Sequence, residues 1–370
     1  MRNIVPLITG IGLVSPLGET VERTWEALLA GRYITDHARV SLELSNHRPR
    51  VSQLAILAAH EAIASTAVGV IDPQAALVVG TSKGPIEDWL KPPSRLSDVQ
   101  HPADFGLAGP ASDIARELGI TGPRLTLSAA CASGLHALIR GAMLIQSGEA
   151  RRVLVVAAES SVHPLFLASF DRLGVLPSPG IGCRPFDRNR EGFLMSEAAA
   201  AVYLEAGNSD FAGIAVDRFA MGADASHLTA SDVKGLALVR ILEHVSPAGG
   251  LDLIHAHGTG TLMNDSIELA TIERTITEMT PKPSLYSHKG ALGHSLGAAG
   301  LVSVVINVMC HRHGVVPPNI RTTEPMAAEK VVLSHELIRR RVQRSVALAA
   351  GFGGPLAAVS LVSRDISMPI

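Results

Sequence analysis

The chain has 370 residues, of which 47% are hydrophobic and 18% charged, so it can bury a large core spread over roughly two domain-sized units. This composition excludes a disordered, collagen-like or coiled-coil protein. With 32 Lys and Arg against 34 Asp and Glu, the net charge of -2 excludes a global field that gathers nucleic acid or an anionic membrane. Only 4% of residues are aromatic, which is typical of a layered α/β enzyme with an aliphatic core.

The cysteines and the apolar runs indicate the cellular setting. Cys131, Cys183 and Cys310 form neither a disulfide framework nor a metal knuckle, so we expect a reducing cytoplasm. The longest uncharged apolar runs, 125–139 and 295–310, are shorter than the ~20 residues of a membrane span. Gly and Pro interrupt the apolar N-terminus, and we expect a strand there rather than a signal peptide.

Short apolar runs alternate with segments of helical length. The runs lack strict polar alternation, as strands covered on both faces do, and they lie at 4–9, 75–80, 152–158, 199–205, 251–256, 346–350 and 356–362. Predicted helices occupy 20–30, 50–65, 131–147, 231–244 and 297–313. We therefore expect a mixed sheet with packed helices, divided into comparable halves at 1–207 and 208–370.

The stretch 125–138 predicts a strand that turns sharply into a helix whose first turn begins at or beside Cys131. Free backbone N–H groups and the helix dipole favour an anion there, so we expect a lowered thiol pKa and a stabilised thiolate. Small neighbouring residues leave room for a substrate. The alternative is a buried, inert cysteine, which is our interpretation of Cys183 and Cys310.

A second motif, His-Gly-Thr-Gly-Thr at 257–261, follows a predicted buried strand. Thr259 and Thr261 present hydroxyls suited to a polar, amide-bearing ligand, whereas the Gly-Lys-Ser/Thr ending of a phosphate-binding loop is absent. His255 and His257 are two apart on the predicted strand, so we expect them to face the same way. A zinc site is the alternative, although a third ligand is missing.

A third motif brings Lys289 and His294 just ahead of the apolar segment 297–313. Hydrophobic residues cover nearly every face of that helix, so we expect it to be buried, with His294 at its entrance. A purely structural histidine is the alternative. Gly-Phe-Gly-Gly at 351–354, between two apolar runs, predicts a tight turn.

In this order along the chain, the motifs resemble those of the β-ketoacyl-acyl carrier protein synthases, condensing enzymes of the thiolase superfamily. The resemblance rests on the elbow around Cys131, on 257–261 with Asn264-Asp265, on Lys289 with Gly293-His294 and Gly-Ala-Ala-Gly, and on 351–354. Further matches at 9–18, 25–31 and 184–192 extend it over almost the whole chain. It implies an α/β fold, a thiolase-like αβαβα layered sandwich of two similar halves, and no cofactor or metal.

The resemblance also implies the chemistry. Cys131 takes an acyl group from a carrier-protein or coenzyme A thioester, and His257 and His294 promote decarboxylation of a malonyl thioester. The product serves fatty acid or polyketide and polyene synthesis. The expected partners are an acyl carrier protein and a second subunit, in a homodimer or a ketosynthase-like heterodimer.

Further roles follow from the same resemblance. Backbone N–H groups of Cys131 and Phe352 form the oxyanion hole, and Phe352 gates the acyl pocket. Lys289 tunes the catalytic histidine electrostatically. Thr259 and Thr261 hold the pantetheine arm.

Several positions depart from the family pattern. Ser303 stands where the family usually has a glutamate that partners the lysine. Leu356 replaces an asparagine, and Leu348-Ala349-Ala350 replaces Asn-Ser-Phe. The nucleophile and both histidines are retained, so these departures bear on substrate range more than on reaction class.

Two alternative functions stay open within the same fold. A chain-length-factor-like partner subunit typically loses the cysteine, which this chain keeps at Cys131. The other is a non-decarboxylating acyltransferase. This chain differs from a plain thiolase, which has a second cysteine where this chain has Gly353. It also differs from the acyl-CoA-priming relatives, which favour asparagine where this chain has His294.

Docking of an acidic carrier needs a local basic cluster in a chain that is nearly neutral. His47-Arg48-Pro49-Arg50 is the most compact candidate, and we expect Arg48 and Arg50 to receive the carrier. The runs 151–152 and 339–341 are competitors. An ordinary solvated surface is the alternative for each of them.

Overall fold

The computed structural model describes residues 4–44, 48–90, 106–208, 210–226, 232–246 and 250–364. In chain order the strands are β1 (Val5–Val14), β2 (Ala76–Gly80), β3 (Arg124–Leu127), β4 (Arg152–Glu159), β5 (Ala198–Gly207), β6 (Gly213–Ala223), β7 (Leu253–His255), β8 (Ser284–Tyr286), β9 (Val315–Val316), β10 (Ile338–Arg339), β11 (Arg344–Ala350) and β12 (Pro355–Arg364). The helices are α1 (Val21–Leu29), α2 (Arg50–Ala64), α3 (Ile86–Trp89), α4 (Gly109–Leu118), α5 (Ser133–Gln146), α6 (Pro164–Arg172), α7 (Leu236–Val245), α8 (Leu262–Thr275), α9 (Lys289–Leu292) and α10 (Ala299–His313).

The main sheet has the strand order β3-β2-β4-β5-β1-β6-β12-β11-β7-β8. The strands β9 and β10 pair with each other in a separate two-stranded sheet. Each half then gives five strands to the main sheet, and from either outer edge inwards these are the third, second, fourth, fifth and first strands of that half. The strand directions repeat as well, since β2 runs parallel to β3 and β4, and β7 runs parallel to β8 and β11. The two sets meet where β1 pairs antiparallel with β6.

Helices and sheet form five layers. The central core holds α5 and α10, one outer core holds α2 and α4, and the other outer core holds α7 and α8. Alternate residues of β2 show the layering, because Ala76 and Val78 face the central core whereas Leu77 and Val79 face the outer helices. The predicted α/β layered sandwich is confirmed.

The central helices pack closely at a glycine. A Cβ atom added to Gly134 of α5 would lie 2.9 Å from the backbone nitrogen of Leu301 on α10. The helix α10 is buried on all sides, as the sequence predicts, because it lies between the two halves of the sheet. This close approach brings the starts of α5 and α10 together.

Strand β1 is longer than the predicted run 4–9. The sequence predicts a strand that ends in a turn at Gly10, yet Gly10 and Gly12 both lie within the strand. Added Cβ atoms would come within 2.0 Å of the carbonyl oxygens of Ala62 and Ala58 on α2. These glycines therefore permit close packing of a helix on the strand rather than a reversal of the chain.

Candidate active site

The loop between β3 and α5 holds Cys131 in a tight elbow. Ala130, just before it, has a φ of +48°, a strained value for a residue with a Cβ atom. The Ser133 hydroxyl accepts the Ala129 N–H at 2.9 Å and donates to the Ala130 carbonyl at 2.6 Å. The helix begins at Ser133, two residues after the cysteine, so the thiol lies beside a helix N-terminus as predicted.

The thiol itself is enclosed, with Cys131 only 5% exposed. Burial raises its pKa to about 11, although the positive charges of Lys83 and Lys289 and a hydrogen bond from the Phe352 backbone oppose the shift. The expectation of a lowered pKa is wrong for this structure. The desolvation cost of a buried thiolate exceeds the stabilisation by the helix start and the nearby cations.

His257 and His294 lie against each other, with ring centroids 5.4 Å apart and planes at 82°. Phe193 packs edge-on against His294 at 5.0 Å. Burial, together with the charge of Lys289, holds the pKa of both histidines well below its ordinary value. Both imidazoles are therefore neutral near pH 7 and can donate one N–H each. The Nδ1 of His294 has no hydrogen-bond partner among the described residues.

A carboxylate that the sequence analysis did not single out fixes the loop after β7. Glu268 of α8 accepts the backbone N–H of His257 at 2.6 Å and of Gly258 at 2.8 Å. Asp265, one turn earlier on the helix, accepts the N–H of Gly260 at 3.1 Å. Acidic residues three apart on a helix just after a glycine-rich loop are the signal that points to this anchor.

Lys289 lies behind the histidines and is 1% exposed. Its Nζ donates to the carbonyl oxygen of His257. Burial lowers its pKa to about 8 against the opposing charge of Glu268. Among the described residues, no carboxylate oxygen lies within 4 Å of the ammonium group.

One cavity of about 310 Å³ joins most of the predicted site residues. Its lining includes the side chains predicted to act on substrate, namely Cys131, His257, Thr259, Thr261, His294 and Phe352. The hydroxyls of Thr259 and Thr261 are 3.0 Å apart. Lys289 contacts the site from behind.

Aromatic rings form one wall of this cavity. Phe352, in the predicted tight turn between β11 and β12, stacks on Phe170 with centroids 6.0 Å apart. Phe170 in turn meets Phe193 edge-on at 5.5 Å. The gate position predicted for Phe352 is thus packed against Phe170, which in turn contacts Phe193, and both of these rings come from the first half of the chain.

The predicted docking arginines lie in different surroundings. Arg50 donates to both oxygens of the buried Glu197 at 2.9 Å, and its side chain is 17% exposed. Arg48 pairs with Glu117 at 2.6 Å on the surface. His47 lies outside the described residues. Arg50 is therefore held inside the fold, which removes it as a surface contact, whereas Arg48 stays accessible.

The two neighbouring histidines do not form a metal site. His255 ends β7 and bonds to Asn307 and His288, whereas His257 lies beyond the strand and lines the cavity, so the expectation that they face the same way is wrong. The described part of the chain contains no group of three or more His, Cys, Asp or Glu placed to hold a metal ion. Within that same part, none of the helices has the length and apolar character needed to cross a membrane.

Comparisons with known proteins find similarity along most of the chain. Residues 49–209 match the family model "Beta-ketoacyl synthase, N-terminal domain", and residues 215–323 match "Beta-ketoacyl synthase, C-terminal domain". A putative polyketide beta-ketoacyl synthase 1 from Streptomyces halstedii is 30% identical, over 98% of this chain and 99% of that protein. A 3-oxoacyl-[acyl-carrier-protein] synthase 2 from Rhizobium meliloti is 28% identical, over 98% and 99%.

A solved structure is similar over the same length. The ishigamide ketosynthase/chain length factor superposes with a TM-score of 0.83 at 27% identity and covers 98% of this chain and 100% of its own. The similarity therefore extends over nearly the whole chain.

Proposed function

The chain belongs to the beta-ketoacyl synthase family, and from this premise we propose that Cys131, His257 and His294 carry out decarboxylative Claisen condensation of an acyl thioester with a malonyl thioester. The enzyme is an acyltransferase of the condensing type. The observation that carries the assignment of residues is the single cavity lined by the thiol and both neutral imidazoles.

In the first half-reaction the sulfur of Cys131 attacks the carbonyl carbon of the acyl thioester. The oxyanion of the tetrahedral intermediate accepts hydrogen bonds from the backbone N–H groups of Cys131 and Phe352. The bond to the departing thiol then breaks, and that sulfur takes the proton released by Cys131. The acyl group is now a thioester of the enzyme.

In the second half-reaction the malonyl thioester loses carbon dioxide. The electron pair of the broken carbon–carbon bond forms an enolate, whose oxygen accepts hydrogen bonds from the N–H groups of His257 and His294. The enolate carbon attacks the acyl carbonyl, and the sulfur of Cys131 leaves. A β-ketoacyl thioester is released. Neutral imidazoles suit this role, because they donate a hydrogen bond without first having to gain a proton.

The carrier of both thioesters is an acyl carrier protein with a phosphopantetheine arm, as the name of the Rhizobium relative indicates for that enzyme. Thr259 and Thr261 hold the arm where they line the cavity, and accessible Arg48 contributes to docking. A second subunit completes the assembly as a homodimer or as a ketosynthase-like heterodimer. The boundary between the halves near residue 207 stays a prediction.

Intact mass spectrometry after incubation with a panel of acyl-carrier thioesters tests the proposal. We expect a single acyl adduct on the wild type, and none on Cys131→Ala. Cys310→Ala is the matched control, since Cys310 is also buried but lies within α10 away from the cavity, and it should load normally.

Release of carbon dioxide from malonyl-carrier by the same preparations tests the second half-reaction. Normal acyl loading of Cys131→Ala would contradict the proposal. Acyl loading of the wild type without any malonyl decarboxylation would favour a non-decarboxylating acyltransferase. Absence of both activities in the wild type would favour a partner subunit.

A further inference from the structure

Two fully buried histidines lie outside the cavity and take no part in the chemistry described above. His255 is the last residue of β7, and His288 immediately precedes α9. The Nε2 of His255 is 2.9 Å from the Nδ1 of His288, and both residues are 0% exposed. Neither lines the cavity. The two rings therefore form a direct bond beneath the site.

The partners of this pair fix the positions of its protons. The Nδ1 of His255 is 2.8 Å from the Oδ1 of Asn307 on α10, and an amide oxygen can only accept. His255 therefore donates from Nδ1, and its Nε2 accepts the N–H of His288. Burial lowers the pKa of His255 to about 3 and that of His288 well below its ordinary value, so both rings are neutral, as this chain of donors requires.

The pair joins the two segments that carry the catalytic imidazoles. His255 precedes His257 by two residues, and His288 precedes the short helix α9, with His294 two residues beyond the end of that helix. The bond from Lys289 to the carbonyl of His257 is a second tie between these segments. A third is the Ser287 hydroxyl, which donates to the Gly258 carbonyl at 2.8 Å, and the ring-to-ring bond joins the last residue of β7 to the residue before α9.

We propose that His255 and His288 are positioning residues whose mutual hydrogen bond holds His257 and His294 at the spacing that enolate stabilisation requires. This inference rests on the proposed function. The proposal predicts different effects on the two half-reactions. Acyl transfer to Cys131 depends on the elbow before α5 and on the turn between β11 and β12. Decarboxylation depends on the segments that the histidine pair joins.

His288→Leu removes the bond while keeping an apolar side chain of similar size. We expect kcat for malonyl decarboxylation to fall about 10- to 100-fold with KM nearly unchanged, since a shift of order 1 Å in a reacting group has this effect. Acyl loading of Cys131, followed by mass spectrometry, should stay within a factor of about two of the wild-type rate. His288→Asn, whose amide N–H can replace Nδ1–H, should restore most of the decarboxylation.

His311→Leu is the matched control. His311 is a buried histidine bonded to the hydroxyls of Ser345 and Ser363, away from both catalytic segments, and its replacement should leave the ratio of the two half-reactions unchanged. Equal loss of both half-reactions in His288→Leu, or no loss, would overturn the proposal. If His288→Leu does not fold, His288→Gln replaces it in the experiment. The glutamine amide reaches the position of Nε2 and not that of Nδ1, so the bond to His255 is lost in this variant as well. Decarboxylation at the wild-type rate by His288→Gln would also overturn the proposal.

A wild-type enzyme that loads acyl groups but never releases carbon dioxide contradicts the proposed function itself. The positioning proposal, in contrast, is tested only when the wild-type enzyme releases carbon dioxide, by comparing the losses of the two half-reactions in His288→Leu.

Discussion

At the scale of single residues, the Glu268 carboxylate decides the shape of the loop that carries His257. It accepts two consecutive backbone N–H groups and also the Asn264 amide at 3.2 Å. A side-chain amide has one accepting oxygen and one donating nitrogen, so it cannot serve both N–H groups. The loop conformation therefore requires a carboxylate and not merely a polar residue of the same size.

Glu268→Gln should lower the free energy of unfolding by about 1–3 kcal/mol, since one buried backbone N–H then faces a donor. Malonyl decarboxylation should fall as well, because the position of His257 depends on this loop. Urea unfolding and carbon dioxide release measure the two effects.

Glu273→Gln provides the control for Glu268→Gln. Glu273 lies on the same helix and accepts the backbone N–H of Lys330 at 2.9 Å, remote from the cavity. It should lose stability without losing decarboxylation. Wild-type decarboxylation by Glu268→Gln would show that the loop keeps its shape without the carboxylate.

At the scale of elements, the start of α2 is tied to β5 by a buried ion pair. Arg50 is the first residue of α2, and it forms an ion pair with Glu197. The Glu197 side chain is 0% exposed, and the residue immediately precedes β5. Glu197 also accepts the Val40 N–H at 2.9 Å. Arg39 is a further cation near it, with Nε 3.8 Å from the same carboxylate, so Arg50 supplies the hydrogen bonds but not all of the positive charge.

Arg50→Met should lower the free energy of unfolding by up to about 3–5 kcal/mol, the cost of breaking a buried ion pair, and this cost is reduced by the charge of Arg39, whose Nε stays 3.8 Å from Glu197. Arg48→Met removes only a surface pair and should cost no more than about 1 kcal/mol. Urea unfolding compares them.

If Arg48 docks the carrier, Arg48→Met should raise KM for carrier-bound substrates and leave KM for small pantetheine thioesters nearly unchanged. An equal loss on both substrate types would contradict docking and indicate a structural role.

Local patterns in the sequence predict the elements that lie close to their own signals. Cys131, His257 and His294 each stand in a short motif, and each of them lies at the common cavity. Contacts between distant segments are not visible in this way. The predictions fail where a feature depends on residues far apart in sequence. These features are the burial of the Cys131 thiol, the ion pair between Arg50 and Glu197, and the packing of α2 on the glycines of β1.

At the scale of the whole molecule, buried histidines make folding sensitive to acid. Burial lowers the pKa of all five buried histidines of the described chain, His255, His257, His288, His294 and His311, and also that of the half-buried His37 and His136. The native state keeps these rings neutral, whereas the unfolded chain protonates them below about pH 6.5. Unfolding therefore takes up protons, and stability falls as the pH falls. The raised pKa values of Asp265 and Glu268 act in the opposite direction.

His311→Gln tests this dependence for one group. Burial lowers the pKa of His311 to about 4, so its contribution is complete above about pH 6.5 and is lost progressively down to pH 4. The slope of unfolding free energy against pH should decrease by about 1.4 kcal/mol per pH unit in the variant between these limits. Urea titrations from pH 7.5 to 5 measure it. Equal slopes in both proteins would show that His311 protonates freely in the folded state.

The junction between the two halves of the sheet rests on only two residue pairs of β1 and β6, Leu7 with Ala215 and Ile8 with Ile214. Cys131 comes from one side of this seam, and the imidazoles of His257 and His294 come from the other. A polypeptide cut in the segment between β5 and β6 would yield two pieces that are each inert. We expect activity to return only when the two pieces reassociate, because each piece holds only part of the cavity lining.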